Sequence, residues 1–244
     1  MEYIRKIFKI RALRHIIKWL DPESERLRSF IQKAAESVPV GGIVIDVGAG
    51  ECQYKNLFFK QKYFGVDFAG GDVNWDYSCL DAIGDVHFLP FCSGSADAVI
   101  CTQVMEHVID PQKVVSEIAR VLKPGGTVFF TVPQGWGEHQ VPHDYFRFTQ
   151  FAMEIICSKA GLVITKTGKT TGLFGYLANR LTMIPKVLFW QIRQPLIRLM
   201  LFPLELVCYI LFVAIPPFLL APFDIFDKDK VYTLNYTIIA KAKK

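Results

Sequence analysis

Residues 43–52 read Ile-Val-Ile-Asp-Val-Gly-Ala-Gly-Glu-Cys, and this stretch decides the fold. A run of Ile and Val that only Asp46 interrupts is typical of a central parallel strand covered on both faces. Gly48 and Gly50 have no Cβ, so the turn after the strand can take unusual backbone angles and let a ligand approach the main chain. The stretch therefore predicts a buried strand that ends in a ligand-binding loop.

The residues after Gly50 indicate which class of ligand the loop can bind. The dinucleotide-binding fingerprint Gly-x-Gly-x-x-Gly needs a third glycine where this sequence has Gln53. Glu51 would lie beside the pyrophosphate, and a carboxylate repels phosphate whereas it is compatible with a cation. A Walker phosphate loop is also excluded, because no Gly-Lys-Ser/Thr follows. These features favour a positively charged ligand that carries no polyphosphate.

The 244-residue chain is long enough for one domain with a substantial core and an appendage. Apolar residues make up 51% of the sequence, which is high for a soluble protein, and the excess is concentrated in one stretch. The six cysteines form no Cys-x-x-Cys pair. We therefore expect reduced, largely buried thiols of a cytosolic protein rather than a disulfide framework or a zinc site.

The formal net charge of +5 is located in residues 1–20, which hold six basic residues and one acid, while the rest of the chain is neutral. On a helix, each half of this segment is amphipathic, with the two apolar faces about half a turn apart. The segment predicts either a membrane-surface helix or a helix that packs on the fold with its charges in water. It contains no apolar run long enough for a signal peptide.

Hydrophobic periodicity and capping residues predict alternating helices and strands after this segment. Asp21-Pro22 and Asp110-Pro111 each predict a helix start, the first helix ending near Ser37, and Thr149 is the predicted N-cap of another helix. The predicted strands after the first are residues 62–67, 86–89, 95–101, 127–132, 162–167 and 231–242. This βαβα order predicts a mostly parallel, doubly wound sheet.

Four motifs, taken in order, resemble the class I S-adenosylmethionine-dependent methyltransferases, in particular small-molecule enzymes similar to the quinone-biosynthesis methyltransferases. They are Asp46-Val47-Gly48-Ala49-Gly50, Asp67 after the second strand, Leu89-Pro90-Phe91 ahead of Asp97-Ala98-Val99, and Glu106-His107-Val108 followed by Val121-Leu122-Lys123-Pro124-Gly125-Gly126. The resemblance implies an α/β, Rossmann-like, doubly wound seven-stranded sheet whose last strand is antiparallel. In this chain a hydrophobic helical insertion precedes that strand.

This resemblance divides the chain into three predicted parts. Residues 1–38 hold the basic amphipathic segment and the lead-in helix. Residues 39–172 and 227–244 form the methyltransferase domain, and residues 173–226 form a hydrophobic insertion that we expect to associate with a membrane.

The resemblance implies S-adenosylmethionine as the cofactor, and this sulfonium cation without phosphate agrees with the charge argument. The positions that match the family's cofactor site are Asp46, Gly48, Ala49, Gly50, Asp67, Phe68, Asp85, Val86 and Gln103. In such enzymes the glycine loop lies under the methionine portion. The acid that matches Asp67 accepts from both ribose hydroxyls, and the acid that matches Asp85 meets the adenine amino group. The sequence departs from the family pattern at Cys52, where many relatives have a third glycine.

Methyl transfer mainly requires alignment of the acceptor with the sulfonium, and a general base matters only for a weak nucleophile such as a hydroxyl. The candidate residues follow the fourth and fifth strands, at the sheet edge where such folds bind ligands. They are His143, His139, Tyr145 and His107. His143 beside Asp144 is the first choice for a base or an acceptor-orienting group, and the alternative for this pair is structural hydrogen bonding.

We also weighed a metal site in the loop after the fifth strand. It would be built from Glu138, His139, His143 and Asp144. Four ligands crowded into one loop seldom form a closed shell, so we predict no metal.

Some sixty residues separate the sixth strand from the last, where such folds have a short connection. Residues 206–223 carry no charge, and their length reaches the minimum for a membrane span, although Pro216-Pro217 and Pro222 interrupt a helix. Because both flanking strands belong to one sheet, the insertion crosses a membrane an even number of times or not at all. The pattern predicts a monotopic or re-entrant hairpin on the cytoplasmic face, and the alternative is a dimer interface or a lid over the acceptor site.

The sequence thus predicts a membrane-associated S-adenosylmethionine-dependent methyltransferase acting on a lipid-soluble or lipid-linked small molecule, such as a quinone precursor or a lipid-carried glycan. Its predicted partner is the membrane surface, which it meets through residues 173–226 and the basic N-terminus. Nucleic acid is excluded as a partner because the basic residues do not line one face together with aromatic residues. The alternatives are the same chemistry on a soluble sugar or small acid, and a catalytically silent scaffold.

Overall fold

The structure is a computed structural model that describes residues 22–71 and 74–243. The basic segment and the predicted N-cap at Asp21 lie outside the described residues. The chain divides into two compact units. One unit comprises residues 27–170 and 235–243, and the other comprises residues 22–26 and 171–234.

A seven-stranded sheet forms the first unit. Its strands are β1 Ile43–Val47, β2 Lys62–Asp67, β3 Ala82–Ile83, β4 Ala96–Thr102, β5 Leu122–Pro133, β6 Leu162–Lys169 and β7 Asn235–Ala242. Their spatial order is β3-β2-β1-β4-β5-β7-β6, and strands β1 to β5 run parallel to one another. Strand β7 is antiparallel to both β5 and β6. The predicted fold class is confirmed, including the antiparallel last strand.

The apolar stretch before the glycine pair is the central strand β1, which pairs with β2 on one side and β4 on the other. Val44, Ile45 and Val47 are fully buried in it. Burying a side chain of this size contributes about 1.5 to 3 kcal/mol. The sheet core therefore fixes the position of the loop that follows Val47.

Three helices begin where the sequence predicts them. They are α1 Pro22–Ser37, α2 Pro111–Val121 and α3 Gln150–Lys159. Asp110 caps α2 by accepting from Lys113 N at 3.0 Å, and Thr149 caps α3 by accepting from Ala152 N at 3.2 Å. Each cap satisfies a backbone amide that has no partner within its helix.

The predicted third strand over residues 86–89 is wrong, because this segment is a turn and β3 is the two-residue strand before it. Phe88 N donates to Asp85 O at 2.9 Å, and His87 N donates to the Asp85 side chain at 2.8 Å. Val86 and Leu89 are nevertheless buried. Their apolar pattern reflects a packed turn closed by an aspartate rather than a strand.

The insertion between β6 and β7 is helical, as predicted. It contains α4 Leu173–Leu181, α5 Met183–Phe189, α6 Pro195–Tyr209, a π-helical segment Ile210–Ala214, α7 Ile215–Leu220 and a 3₁₀ segment Ala221–Ile225. Among the described residues, one helical run, 195–225, is long and apolar enough to cross a membrane. Leu196, Leu199 and Met200 on this run are between 72% and 80% exposed.

Two carboxylates join the beginning of the insertion to its end. Asp224 accepts from Gly172 N at 2.8 Å and from Gly175 N at 3.0 Å, and Asp227 accepts from Leu173 N at 2.7 Å. A Cβ at Gly172 would lie 2.8 Å from oxygens of both carboxylates, and a Cβ at Gly175 would lie 2.6 Å from Asp224. We call these contacts the carboxylate latch, since they cap α4 with side chains about fifty residues away in sequence.

Candidate active site

The loop after β1 turns sharply over the edge of the sheet. Gly48 and Gly50 have φ angles of +74° and +52°, a region that favours glycine. Gly48 N and Ala49 N both donate to Val66 O on β2, at 2.8 Å and 3.1 Å. The main chain of the glycine loop is thereby fixed against the neighbouring strand.

The same loop closes on the segment that follows β4. A Cβ at Gly48 would lie 2.2 Å from Val104 Cγ2, so no other residue fits at this position. The preceding Gln103 has a φ of +54°, and its backbone N donates to Thr131 O on β5 at 3.0 Å, while its Nε2 donates to Thr131 Oγ1 at 3.1 Å. The carboxyl ends of β1, β4 and β5 are therefore held together.

Asp67 ends β2 and lies beside the glycine loop. Its Oδ2 accepts from Gly50 N at 2.9 Å, and its Oδ1 accepts from Ala69 N at 2.8 Å. Asp67, which the resemblance assigns to the ribose hydroxyls, is thus fixed next to the predicted ligand-binding turn. The predicted Phe68, which follows directly, is 72% exposed.

Asp46 is buried at the base of this loop. Burial raises the pKa of its carboxyl to about 7, against the opposing effect of a hydrogen bond from the Tyr63 hydroxyl at 2.5 Å. Its other oxygen, Oδ1, has no hydrogen-bond partner among the described residues. Sequence reasoning missed Tyr63, although the parallel register of β1 and β2 pairs Val44 with it. Asp46 offers an open acceptor to a cationic group.

Asp85 and Val86, the predicted adenine contacts, lie in the turn after β3. Asp85 Oδ1 is 2.6 Å from His87 Nδ1 and also accepts from His87 N. Val86 is buried, whereas Asp85 is exposed. His87 therefore orients the carboxylate that the resemblance assigns to the adenine amino group.

Cys52, the departure from the family pattern, has a φ of +50° and is buried. A Cβ at Gly65 on β2 would lie 3.1 Å from its Sγ. The Cys52 thiol therefore occupies space beside β2 that is open because residue 65 is glycine.

Three hydrogen bonds to two backbone oxygens connect the loops after β4 and β5. Glu106 O accepts from Tyr145 N at 2.7 Å and from Phe146 N at 3.3 Å. His107 Nδ1 lies 2.5 Å from His143 O, and since a carbonyl only accepts, this nitrogen carries the proton. All four predicted catalytic residues lie in these two connected loops.

The pair expected between His143 and Asp144 does not form. Asp144 instead accepts two hydrogen bonds from the Arg147 guanidinium, at 2.6 Å and 2.7 Å, and these hold the pKa of its carboxyl well below the usual range. It also accepts from His139 N at 2.8 Å, and its Oδ2 is 3.4 Å from His139 Nδ1. His143 Nδ1 faces the Tyr145 hydroxyl at 2.9 Å. His143 ends a turn in which its backbone N donates to Gln140 O at 3.0 Å, and its ring faces Tyr145 rather than Asp144.

Glu106, His107 and His139 form a cluster whose ligand atoms all lie within 4.8 Å of one another. Glu106 is fully buried, neither of its carboxyl oxygens has a hydrogen-bond partner among the described residues, and burial raises its pKa to about 8. Burial also lowers the pKa of His107, which favours its neutral form. The rings of His107 and His139 meet edge to face at 4.7 Å. The cluster has room for a shared proton or a cation.

Sequence reasoning placed Glu106 in a family motif but not among the site residues. Of the four residues weighed as a metal site, only His139 belongs to the cluster. The adjacent pair Glu106-His107 after a buried strand was the available signal, but the approach of His139 depends on the path of a distant loop.

A family model described as a methyltransferase domain matches residues 45–130. The ubiquinone biosynthesis O-methyltransferase of Pectobacterium atrosepticum is 37% identical over 98 residues, which cover 40% of this chain and 35% of the relative. An uncharacterised methyltransferase of Mycobacterium sp. strain JLS is 34% identical over 121 residues, covering 45% of this chain and 47% of the relative. These similarities support a class I S-adenosylmethionine-dependent methyltransferase domain in this chain. The chain spans less than half the length of either relative.

Solved structures share the methyltransferase fold over most of this chain. Phosphoethanolamine N-methyltransferase 2 of Haemonchus contortus, in complex with S-adenosyl-L-methionine, superposes with a TM-score of 0.53 at 18% identity, covering 93% of this chain and 55% of that one. The cyclase SpnF superposes with a TM-score of 0.56 at 16% identity, covering 89% and 81%. Because a cyclase and a methyltransferase both match, these neighbours support the fold alone.

The described residues fit the cofactor of the family. Asp46, Asp67 and Asp85 place three carboxyl groups at the carboxyl end of the sheet, and Asp46 Oδ1 has no partner among the described residues. The glycine loop carries no Cβ at Gly48 or Gly50, and Val104 and Trp75 pack against these two positions. These groups suit a cation with hydroxyl and amino donors, and they would repel a polyphosphate.

Proposed function

We propose that this methyltransferase transfers a methyl group to a hydroxyl of a lipid-soluble small molecule of the quinone-precursor type, at the cytoplasmic face of a membrane. The observation that carries the proposal is the Glu106, His107 and His139 cluster, held against the glycine loop through Val104. A base beside the cofactor loop is needed for a hydroxyl acceptor and not for a stronger nucleophile. Similarity to ubiquinone biosynthesis O-methyltransferases supports this acceptor class.

The bound cofactor supplies a methyl group on a sulfonium, which is already activated towards displacement. Asp46 would accept from a cationic donor through Oδ1, and Asp67 would accept from the ribose hydroxyls in place of its backbone donors. Asp85, oriented by His87, would accept from the adenine amino group. The chain mainly positions the two reactants, and alignment alone can supply a large part of the barrier reduction.

His139 is the proposed general base. Its Nδ1 faces two acceptors, Gly137 O at 3.2 Å and Asp144 Oδ2 at 3.4 Å, so the proton resides on this nitrogen and Nε2 keeps its lone pair. Arg147 fixes Asp144 through two hydrogen bonds. His139 therefore removes the acceptor proton, His107 packs against its ring, and Glu106 forms the buried wall of the cluster.

Labelled S-adenosylmethionine tests the reaction with two acceptor pools, a lipid extract and an aqueous metabolite pool. We expect label in a phenolic lipid and a loss of about 100-fold or more in kcat for His139→Ala. His143→Ala is the matched control, since it removes a ring of the same loop but keeps the carbonyl that His107 uses. Label in the aqueous pool alone would contradict the lipid acceptor. Activity lost in EDTA and restored by a divalent ion would assign the cluster to a cation instead of a proton.

The insertion supports the membrane part of the proposal. Its uncharged run exposes large apolar side chains, among them Leu206 at 49%, Leu211 at 50% and Phe218 at 51%. The carboxylate latch returns the end of the insertion to its beginning, and Thr171 Oγ1 accepts from Leu234 N at 2.9 Å beside it. A hairpin closed in this way enters and leaves the bilayer on one side, as a monotopic segment does. Basic residues near helix ends would extend their charges to anionic lipid.

Flotation with liposomes tests the membrane contact. We expect the full chain to float with phosphatidylcholine vesicles that contain phosphatidylglycerol, and the double variant Leu206→Glu/Leu211→Glu to remain in solution. A charge at the centre of an apolar segment costs about 2.5 to 3.5 kcal/mol on insertion scales. Lys228→Glu, outside the apolar run, is the charged control. Equal flotation of both variants would show that the run does not enter lipid.

A further inference from the structure

Residues 74–79, which we call the strap, lie against the glycine loop of the methyltransferase domain. Asp76 N donates to Glu51 Oε1 at 3.2 Å, and Lys55 Nζ donates to Cys79 O at 3.2 Å. Cys79 Sγ lies 3.9 Å from Gly50 O. The strap is thus bonded to Glu51 and Lys55, which follow Gly50 in the sequence.

Trp75 is the aromatic residue of the strap that reaches the loop itself. A Cβ at Gly50 would lie 3.2 Å from Trp75 Cζ3 and 3.4 Å from Cε3, and a Cβ at Gly71 would lie 3.3 Å from Cζ3. The indole therefore packs between two glycines, and both would push it away if they carried side chains. Tyr77 supports the arrangement, because its hydroxyl accepts from Gly71 N at 3.0 Å and its ring centroid is 6.1 Å from that of Trp75.

The contact of Trp75 with Gly50 lies at a defined place in the cofactor site. Gly50 N donates to Asp67 Oδ2, so Trp75, Gly50 and Asp67 form one continuous group of contacts. The resemblance implies that the glycine loop lies under the methionine portion and that Asp67 accepts from the ribose hydroxyls. The sulfonium joins these two portions of the cofactor. Its charge is therefore expected between the glycine loop and Asp67, next to Trp75.

We infer that Trp75 is a cofactor-binding residue whose indole ring attracts the sulfonium cation and thereby distinguishes the cofactor from its demethylated, uncharged product. Aromatic rings bind cations without hydrogen-bond donors, as in the recognition of quaternary ammonium groups. A thioether has no charge and gains only packing from the same ring. This inference rests on the cofactor of the family and not on the proposed acceptor, so an error in the acceptor leaves it intact.

Calorimetric titration of the full chain with S-adenosylmethionine and S-adenosylhomocysteine tests the inference. We expect Trp75→Leu to weaken binding of the cofactor about 3- to 10-fold more than binding of the product, because leucine fills space without a π face. Trp75→Phe keeps a ring and should retain most of the selectivity. Trp190→Leu, the same substitution in the insertion, should leave the ratio of the two dissociation constants unchanged.

Fluorinated tryptophan provides a second measurement that does not depend on the fold of a leucine variant. Fluorine withdraws charge from the ring face while its shape changes little. We expect the affinity for S-adenosylmethionine to fall stepwise with the number of fluorines, the affinity for S-adenosylhomocysteine to stay constant, and the Trp75→Phe chain to be insensitive. An equal change for both ligands, no change for either, or no binding of S-adenosylmethionine by the unsubstituted chain would overturn the inference.

Discussion

Asp46 keeps its carboxyl group out of water at the end of β1, with one oxygen bonded to Tyr63 and the other without a partner among the described residues. Its folded-state pKa, raised by burial from 3.8 to about 7, means that the folded chain holds this proton more tightly than the unfolded chain does. The stability that this proton brings is complete below about pH 4 and is lost as the pH rises to about 7. Asp46, which the resemblance assigns to the cofactor site, is therefore a source of instability at neutral pH.

The substitution Asp46→Asn removes this pH dependence. The variant should gain stability relative to the natural chain as the pH rises, by about 2 to 3 kcal/mol between pH 5 and pH 8, since one unit of pKa shift corresponds to 1.36 kcal/mol. Denaturant unfolding at the two pH values measures the difference. Calorimetry at pH 8 should show weaker cofactor binding, because the amide carries no charge. A stability difference that does not vary with pH would contradict the buried, proton-holding state of Asp46.

The positions of several candidate site residues could be predicted from sequence because they depend on local structure. Gly48 and Gly50 follow an apolar strand directly, and the strand alone determines where they lie. The partners of Asp144 could not be predicted, since Arg147 and His139 reach it through the path of an irregular loop. Tyr63 was also missed, because its hydroxyl meets Asp46 only across two paired strands.

At the scale of elements, helix starts were predictable and the short third strand was not. Asp110 and Thr149 cap helices through residues three positions away, so the signal lies within a few letters of sequence. Val86 and Leu89 are as apolar as strand residues, yet Asp85 closes a turn over them. Burial alone does not distinguish a turn packed on the core from a strand in the sheet.

The carboxylate latch predicts that a glycine-to-alanine substitution in α4 destabilises the helix, although helix propensity alone predicts the opposite. Alanine normally stabilises a helix relative to glycine by about 1 kcal/mol. In Gly175→Ala, however, the Cβ would lie 2.6 Å from Asp224, so we expect the latch to open. Hydrogen exchange of residues 171–181 should become about 10- to 100-fold faster, as for a loss of about 1 to 3 kcal/mol. Gly84→Ala, where no atom lies within 4 Å of the new Cβ, is the control. Unchanged exchange would show that the carboxylates do not hold α4.

At the scale of the whole molecule, the insertion begins and ends at residues that already touch. Leu173 N is 2.7 Å from Asp227 Oδ2, so joining Gly172 to Asp227 removes residues 173–226 without stretching the chain. The sheet strands and the glycine loop belong to the other compact unit. We expect the shortened chain to bind S-adenosylmethionine within about 3-fold of the full chain and to lose flotation with liposomes. Calorimetry and flotation on the same preparation provide the measurement, and loss of cofactor binding would show that the insertion contributes to the cofactor site.

The fold class was predictable because alternating helices and strands follow from local patterns, and because a family resemblance implies seven strands with an antiparallel last strand. The location of the hydrophobic excess in one insertion was equally visible in the composition. The closure of that insertion by Asp224 and Asp227 could not be predicted. Nothing in the sequence around these two acids identifies the backbone amides from which they accept.

The contact between Gly48 and Val104 couples the glycine loop to the segment after β4. Val104 Cγ2 occupies the volume that a side chain at Gly48 would need. The residues that follow Val104 include Glu106 and His107, two members of the cluster with His139. We therefore expect a larger residue at position 48 to disturb this cluster as well as the loop.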